Sequence, residues 1–310
     1  MTKPFRFGVQ IGGNFTPEAF ATKAQRAEEL GYSTFYFPDH FIDTELAPMV
    51  AMGMAAAVTK DLRVGALVFD NDYKHPAILA KEIATIDVLS GGRAELGIGA
   101  GWMEVDYTAL GLPYDRPGVR IDRLDEALQV IKGCYGPDAF SFSGKHYTVT
   151  DYQGIPKPVQ AKVPILIGGG GPRVLRLAGA EADIVGINPN LRAGAITNDA
   201  VNDSLAEMTD QKVEWIKEGA GSRFDDLELQ IRYFMASVTD DRKKLAEAIA
   251  PGFGISADEA LEAGIALVGT VDEVCDLMAA RRDRWGVSYA VVGGDEMEMF
   301  APVVERLAGT

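Results

Sequence analysis

Short apolar runs alternate with amphipathic helix patterns along the chain, and this alternation constrains the fold more than any other feature of the sequence. In the first unit, an apolar-rich run ends at Gly12 and Gly13, which are typical of a turn. A helix follows, with Thr16 as its cap, Pro17 at its first position and Gly31 at its end. The same unit recurs, and the predicted strands cover residues 5–11, 34–37, 62–69, 94–98, 163–167, 183–187, 227–238 and 289–292.

Eight such strands, each followed by a helix pattern, predict a single α/β domain, a (β/α)8 TIM barrel over residues 1–310. No Pro- or Ser-rich linker divides the chain, which disfavours two domains. A doubly wound open sheet is the alternative, since its buried strands would be equally apolar, and the strand count favours the barrel. Residues 140–149 are predicted to form a hairpin with a turn at Gly144, as an insertion outside the barrel. Helix patterns cover residues 16–31, 76–89, 118–133, 242–250, 256–264 and 270–285, and one more begins at Pro172. Three further helices are predicted within residues 46–59, 199–218 and 297–307.

The chain carries a formal net charge of −15, which would repel the phosphates of nucleic acids and the anionic surfaces of membranes. It contains no run of about 18 apolar residues that could span a bilayer. Gln10 and Gly12 come too early for the apolar core of a signal peptide. Cys134 and Cys275 lie far apart without a CxxC partner, as expected in a reducing compartment. These features predict a cytoplasmic protein that binds neither nucleic acid nor membrane.

Polar residues directly after the predicted strands are the first candidates for catalysis, because barrel enzymes carry their active sites at the C-terminal ends of the strands. Asp39 and His40 follow the second strand. A carboxyl group beside an imidazole can serve as an acid, a base or an orienting partner near neutral pH. A helix cap or a solvated pair at the barrel rim is the alternative, and the position after a strand favours catalysis.

Four other polar residues are assigned no catalytic role. Asp70 and Asp72 follow the third strand, where carboxylates could suggest a metal. Turn chemistry explains them equally well, and no spacing elsewhere completes a set of ligands. His75 and His146 are likewise interpreted as structural residues.

Two glycine-rich segments follow strands four and five. Gly97, Gly99 and Gly101 would let a flat ligand or a phosphate approach the backbone closely, although glycines at such spacing also form simple turns. The second segment enters a helix at Pro172, so backbone N–H groups and the helix dipole point at one spot, where Arg173 could pair with an anion. It predicts a pocket for a cofactor phosphate, and a tight strand-to-helix turn is the alternative. Its glycines are Gly168, Gly169, Gly170 and Gly171.

The chain contains neither a Walker phosphate-binding loop nor the GxSxG motif of serine hydrolases. Nucleotide hydrolysis and serine-esterase chemistry therefore have no support in the sequence. Glycine-rich phosphate loops without an evident nucleophile or metal favour chemistry that is carried by a cofactor.

The stretch from residue 62 to residue 111 contains KHPA at 74–77, LAKE at 79–82, LSGGR at 89–93 and GIGAGW at 97–102. With these motifs the chain resembles the luciferase-like monooxygenase superfamily, and especially its actinobacterial branch that uses coenzyme F420. The resemblance extends over nearly the whole chain, through PILIGG at 164–169 to the last strand and helix.

The resemblance implies a barrel that holds a ring system at its C-terminal mouth, with Asp39 and His40 as an acid–histidine pair that contacts the ring. It also implies a non-proline cis peptide bond in a bulged strand three, near residues 65–68, where the backbone supports the ring. The glycines at 168–171 would hold the cofactor phosphate together with Arg173. The other residues expected to line the cofactor are Gly65, Ala66, Leu67, Ala100, Gly101 and Trp102.

The implied activity is hydride transfer between coenzyme F420, a deazaflavin, and a small organic substrate, with His40 and Asp39 as catalytic residues in a homodimer. An FMN-dependent two-component monooxygenase, supplied with reduced flavin by a separate reductase, is the first alternative. A non-catalytic flavin- or deazaflavin-binding protein is the second. Sugar-phosphate dehydrogenases of the superfamily have a glutamate where this chain has Trp102, so their substrate is not carried over. Glu104 and Asp106 are nearby but are not assigned as a catalytic acid.

Overall fold

The structure, a computed structural model, describes residues 3–42, 46–195 and 197–310. No helix in this part of the chain has the length and apolar character needed to cross a membrane. The strands are β1 (Arg6–Gln10), β2 (Thr34–Phe37), β3 (Arg63–Ala66), β4 (Phe69–Asp70), β5 (Ala94–Gly99), β6 (Phe140–Ser143), β7 (Thr148–Tyr152), β8 (Ile165–Gly169), β9 (Ile184–Ile187), β10 (Glu228–Arg232), β11 (Met235–Val238), β12 (Ala266–Gly269) and β13 (Val287–Gly293). The helices are α1 (Pro17–Glu29), α2 (Pro48–Val58), α3 (Pro76–Ser90), α4 (Glu104–Leu110), α5 (Pro117–Tyr135), α6 (Pro172–Glu181), α7 (Asn198–Asn202), α8 (Ala206–Ala220), α9 (Arg242–Phe253), α10 (Ala257–Glu262), α11 (Val271–Trp285) and α12 (Met297–Leu307).

The main sheet closes on itself. In the described residues, eight parallel strands form a barrel in the order β3, β2, β1, β13, β10, β9, β8 and β5, and β4 continues strand three beside β5. The pairing of β3 with β5, through Val64 opposite Ala94 and Gly65 opposite Glu95, completes the ring. The predicted barrel is therefore confirmed, and the open sheet is wrong. β6 and β7 form the predicted antiparallel hairpin outside the barrel.

The predicted seventh strand, residues 227–238, is two strands that belong to different sheets. β10 lies in the barrel between β9 and β13, whereas β11 leaves the barrel and pairs in parallel with β12. The strand β12 and the helix α4 are not predicted from the sequence. An apolar run indicates that a strand is buried, but it does not indicate which neighbour the strand pairs with.

One helix is predicted within residues 199–218, and the structure has two there, α7 and α8, with the break at Asp203. The carboxylate of Asp203 accepts the backbone N–H of Asn190 at 2.6 Å and pairs with the buried Lys212 at 2.5 Å. These contacts hold the segment after β9 against the barrel, next to the C-terminal ends of the strands.

A buried charge cluster centred on Glu95 fills the N-terminal end of the barrel. Glu95 is fully buried and accepts hydrogen bonds from Arg6 at 2.6 Å, Arg63 at 2.8 Å and the Tyr36 hydroxyl at 2.8 Å. Burial alone would raise the pKa of Glu95, but Arg6 and Arg63 hold it below its usual value. Arg6 also pairs with Glu228 at 2.7 Å. Because this cluster lies opposite the mouth, we assign it to stability rather than to catalysis.

Candidate active site

Asp39 and His40 lie at the C-terminal mouth of the barrel, where β2 ends at Phe37 and Pro38 follows. Both residues are half-buried. Asp39 Oδ2 accepts the backbone N–H of Asp70 at 3.1 Å, which joins the end of β2 to the end of β4. The predicted pair therefore lies where barrel enzymes place their catalytic groups.

His40 forms a hydrogen bond of 2.8 Å between its Nδ1 and Oδ2 of Asp106, a buried residue in the first turn of α4. The second carboxylate oxygen, Oδ1, accepts the backbone N–H groups of Phe41 at 3.0 Å and Ile42 at 3.1 Å. The Tyr73 hydroxyl lies 3.4 Å from Oδ2. An ionised carboxylate can only accept hydrogen bonds, so this arrangement assigns a proton to Nδ1 and leaves Nε2 free to accept one.

Two carboxyl groups near the His40–Asp106 hydrogen bond, those of Asp39 and Asp70, have raised pKa values. Burial raises the pKa of Asp39 to about 6, although the hydrogen bond from the Asp70 N–H opposes the shift. Burial also raises the pKa of Asp70 to about 7, against hydrogen bonds from the Asp72 N–H at 2.9 Å and the Tyr107 hydroxyl at 2.7 Å. Both groups therefore exchange protons near neutral pH, as titratable groups at functional sites often do.

The loop after β5 lies against the same cluster. The Trp102 ring meets the His40 ring edge-on, with 5.4 Å between centroids. Gly101 has a φ of +74°, and a Cβ there would lie 2.0 and 2.4 Å from two neighbouring side chains, so only glycine fits. The buried Arg120 donates to the carbonyls of Ala100 at 3.1 Å and Gly101 at 3.2 Å. The structure thus brings Ala100, Gly101 and Trp102 beside the predicted catalytic pair.

Strand three carries a non-proline cis peptide bond between Leu67 and Val68, at the position that the resemblance implies. The Val68 side chain extends into the barrel, where a Cβ on Gly168 would lie 3.2 Å from it and a Cβ on Gly99 2.8 Å. The Leu67 carbonyl accepts a hydrogen bond from Gln10 Nε2 at 2.7 Å. Leu67 and Val68 pack on the apolar cluster of the barrel interior. We call these two residues the apolar floor of the mouth.

Gly65 and Ala66 lie deeper in the barrel than the apolar floor. A Cβ on Gly65 would lie 2.8 Å from the Tyr36 ring, and Ala66 is fully buried. Of the three strand-three residues expected to line a cofactor, Leu67 therefore lies nearest the mouth. Direct contact of Gly65 and Ala66 with a cofactor stays a prediction.

The glycines at 168–171 connect β8 to α6, which begins at Pro172 without a side-chain cap. A Cβ on Gly170 would lie 2.3 Å from a backbone oxygen of the loop after β9, so this position admits no larger residue. Arg173 donates to a carbonyl of α5 at 2.9 Å and pairs with Asp122. The Arg173 side chain thus contacts α5 in this structure, and its role in phosphate binding stays a prediction.

Asp106 is the site residue that the sequence analysis leaves unassigned. The available signal is an acid in the first turn of a helix, where the helix dipole favours a carboxylate. The turn interpretation of Asp70 and Asp72 is confirmed, because Asp70 Oδ1 accepts the Asp72 N–H. His75 has the predicted structural role, since it caps α3 by accepting the Ala77 N–H at 3.2 Å.

Residues 2–257 match the sequence profile of the family described as luciferase-like monooxygenase. This chain belongs to the luciferase-like monooxygenase family. The resemblance carried by the motifs between residues 62 and 111 is therefore confirmed.

Two of the related proteins carry names that specify different cofactors. F420-dependent glucose-6-phosphate dehydrogenase from Microbacterium testaceum is 32% identical over 191 residues, which cover 59% of this chain and 56% of that protein. FMNH(2)-dependent dimethylsulfone monooxygenase from Pseudomonas putida is 36% identical over 120 residues, covering 39% of this chain and 33% of that protein. The chain spans about half the length of the first curated relatives that it matches. Coenzyme F420-dependent tetrahydromethanopterin reductase from Methanopyrus kandleri has the same fold, with a TM-score of 0.77, 22% identity, and coverage of 98% of this chain and 100% of that one.

Proposed function

We propose that this protein is an oxidoreductase that binds coenzyme F420 at the mouth of the barrel and transfers hydride to or from a small organic substrate. When bound, the deazaflavin would supply the hydride chemistry at its C5 carbon. The observation that carries the proposal is the His40–Asp106 pair, which lies with Asp39 beside the mouth of the barrel. F420-dependent enzymes among the relatives, matched over 191 residues in one case, support this choice of cofactor.

The residues at the mouth fit a flat ring system. Leu67 and Val68 supply an apolar surface, and the glycines at 99 and 168 leave the space that Val68 fills. Asp39 and His40 place hydrogen-bonding groups on the same side of the barrel. An apolar surface with a few convergent polar groups is the usual composition of a cofactor site.

His40 would move the proton that accompanies hydride transfer. Its Nδ1 is held by Asp106, so Nε2 is the atom that accepts or returns a proton. Asp106 would position the imidazole ring of His40 and select its tautomer, as orienting carboxylates do for catalytic histidines. Asp39, with its pKa raised to about 6, would contact the ring or adjust the charge next to it.

An FMN-dependent two-component monooxygenase is the second candidate. The 36% identity with the dimethylsulfone monooxygenase of Pseudomonas putida favours it. Such an enzyme would receive reduced flavin from a separate reductase and would consume oxygen in turnover.

Spectral titration of the purified protein with F420 and FMN side by side tests the choice of cofactor. We expect saturable binding of F420 and weaker binding of FMN, with no oxygen uptake during turnover. Tight binding of FMN without any binding of F420 would contradict the proposal. Oxygen uptake with reduced FMN would favour the second candidate.

We also propose that the protein is a homodimer. Apolar side chains exposed on α2 and α3 support this, since Val50 is 74% exposed and Ile78 is 54% exposed. Exposed apolar patches on soluble proteins mark interfaces when they are contiguous, and Met49 and Ile78 line one groove between these helices. Sedimentation equilibrium tests the proposal, and a monomer at every concentration would contradict it.

A further inference from the structure

Arg232 is a cationic residue at the same mouth that the proposed mechanism does not use. It is the last residue of β10, in the seventh barrel position. Gln230, two residues earlier, is buried, and its Oε1 lies 3.0 Å from the point where a Cβ of Gly186 in β9 would be. Side chains alternate between the two faces of a strand, so Arg232 faces the barrel interior as well, nearer the mouth.

Three contacts hold the guanidinium group of Arg232 in place. Its Nε donates to Gln10 Oε1 at 3.0 Å, and Nη1 donates to the Tyr233 carbonyl. Gln10 in turn donates to the carbonyl of Leu67 in the apolar floor, at 2.7 Å. The guanidinium carbon lies 4.9 Å from the centroid of the Phe234 ring. Arg232 is therefore fixed beside the surface on which the cofactor ring would lie.

In the part of the chain that the structure describes, the outer edge of the guanidinium group has no partner. Among residues 3–42, 46–195 and 197–310, Arg232 Nη2 has no hydrogen-bond acceptor, and the guanidinium forms no ion pair. Glu296 attracts it without pairing with it. A Cβ on Gly293 would lie 2.8 Å from Arg232 Nη2 and 2.1 Å from Glu296 Oε2, so this glycine leaves the space into which both groups project.

The arginine at the opposite end of the barrel is paired. Arg6 forms ion pairs with Glu95 at 2.6 Å and with Glu228 at 2.7 Å. Burial lowers the pKa of Arg232 to about 10, because the attraction of Glu296 offsets only part of the cost of burial. A partly buried charge without a paired counter-charge is costly, and a bound anion would remove that cost.

We propose that Arg232 binds an anionic oxyacid group, a carboxylate or a sulfonate, on the substrate. This inference rests on the proposed function, because it specifies the charge of the substrate that meets the cofactor at the mouth. A planar guanidinium with a free edge matches the two oxygens of such a group. With one free edge and Glu296 nearby, the site suits a monoanion.

Calorimetric titration of the cofactor-free protein with benzoate and with its neutral amide, benzamide, tests the inference, and acetate with acetamide provides a smaller pair. We expect each anion to bind at least about tenfold more tightly than its amide, the usual effect of one charge-assisted contact. Arg232→Gln should abolish this preference. Glu296→Gln should strengthen anion binding, because it removes a negative charge beside the site.

Arg176→Gln is the matched control, since it makes the same change in net charge at an exposed arginine of α6 that pairs with Glu218. It should keep the preference for anions. Arg232→Lys keeps the charge but loses the planar edge, and we expect it to retain part of the preference. If Arg232→Gln fails to fold, two other variants still test the inference. Affinity for the anion should rise in Glu296→Gln and fall in Arg232→Lys.

Equal affinity of the wild-type protein for anion and amide would overturn the inference. So would a preference for anions that survives in Arg232→Gln, or a loss of F420 affinity in that variant with unchanged benzoate binding. Because the titrations contain no cofactor, a failure to bind F420 would refute the proposed function while leaving this comparison valid.

Discussion

Replacement of Asp106 by asparagine tests whether the carboxylate selects the reactive form of His40. In the native protein, Asp106 Oδ2 accepts from His40 Nδ1 at 2.8 Å, and Oδ1 accepts two backbone N–H groups at 3.0 and 3.1 Å. In Asp106→Asn, the amide oxygen can keep the two backbone bonds, which turns the amide NH2 toward Nδ1. His40 would then accept at Nδ1 and carry its proton on Nε2, the reverse of the native tautomer.

The size of the effect follows from this geometry. For Nε2 to act as a base in the variant, Nδ1–H must face the amide N–H, which forfeits a hydrogen bond and leaves two donors opposed. Leaving a buried donor without an acceptor costs roughly 1–3 kcal/mol, so the reactive tautomer becomes about five- to a hundredfold rarer. We therefore expect turnover to fall by that factor in Asp106→Asn. His40→Ala removes the group itself and should lower turnover by about 10²–10⁴-fold.

Two measurements separate this effect from a loss of structure. Turnover of the cofactor-loaded variants should fall while cofactor affinity stays within a few-fold of the native value. Nitrogen NMR of the His40 ring should show the proton on Nδ1 in the native protein and on Nε2 in Asp106→Asn. Native turnover in Asp106→Asn, or an unchanged tautomer, would refute the role of Asp106. Native turnover in His40→Ala at every pH would reduce His40 to a residue that shapes the mouth.

Three further predictions concern other parts of the barrel. If Arg173 holds the phosphate, Arg173→Ala should weaken F420 binding by about ten- to a hundredfold in a titration, and unchanged affinity would place the phosphate elsewhere. Gly170→Val should instead lower the melting temperature, because a Cβ at this position lies 2.3 Å from a backbone oxygen. Burial raises the pKa of Asp39 from 3.8 to about 6, so ionisation of Asp39 costs stability as the pH rises through this range. Asp39→Asn should therefore raise the melting temperature near pH 8 but not near pH 4, and an equal effect at both pH values would contradict the pKa shift. Glu95→Gln should lower the free energy of unfolding by roughly 3–5 kcal/mol in chemical denaturation, since Arg6 loses a buried partner at 2.6 Å. Cofactor affinity should not change, and a loss of affinity would show that the charge cluster around Glu95 acts on the mouth of the barrel.

The sequence by itself determines the barrel and the position of the polar pair. Alternation of apolar runs with helix patterns is a local property, because each element must bury one face whatever its partners are. The second strand, residues 34–37, has the same bounds in the prediction and in the structure. Asp39 and His40 follow that strand, so their place at the C-terminal mouth is a consequence of parallel strand order.

Only the tertiary structure decides which side chains meet. His40 and Asp106 are 66 residues apart in the chain, and Arg173 and Asp122 are 51 apart, yet each pair is in hydrogen-bond contact. Periodicity describes burial, and it contains no information on distances between atoms of different elements. The same limit explains why residues 227–238 are predicted as one strand, since only the pairing of β11 with β12 removes half of it from the barrel. Whether a partner meets the outer edge of Arg232 depends on every neighbour in space, so no pattern along the chain could have shown it.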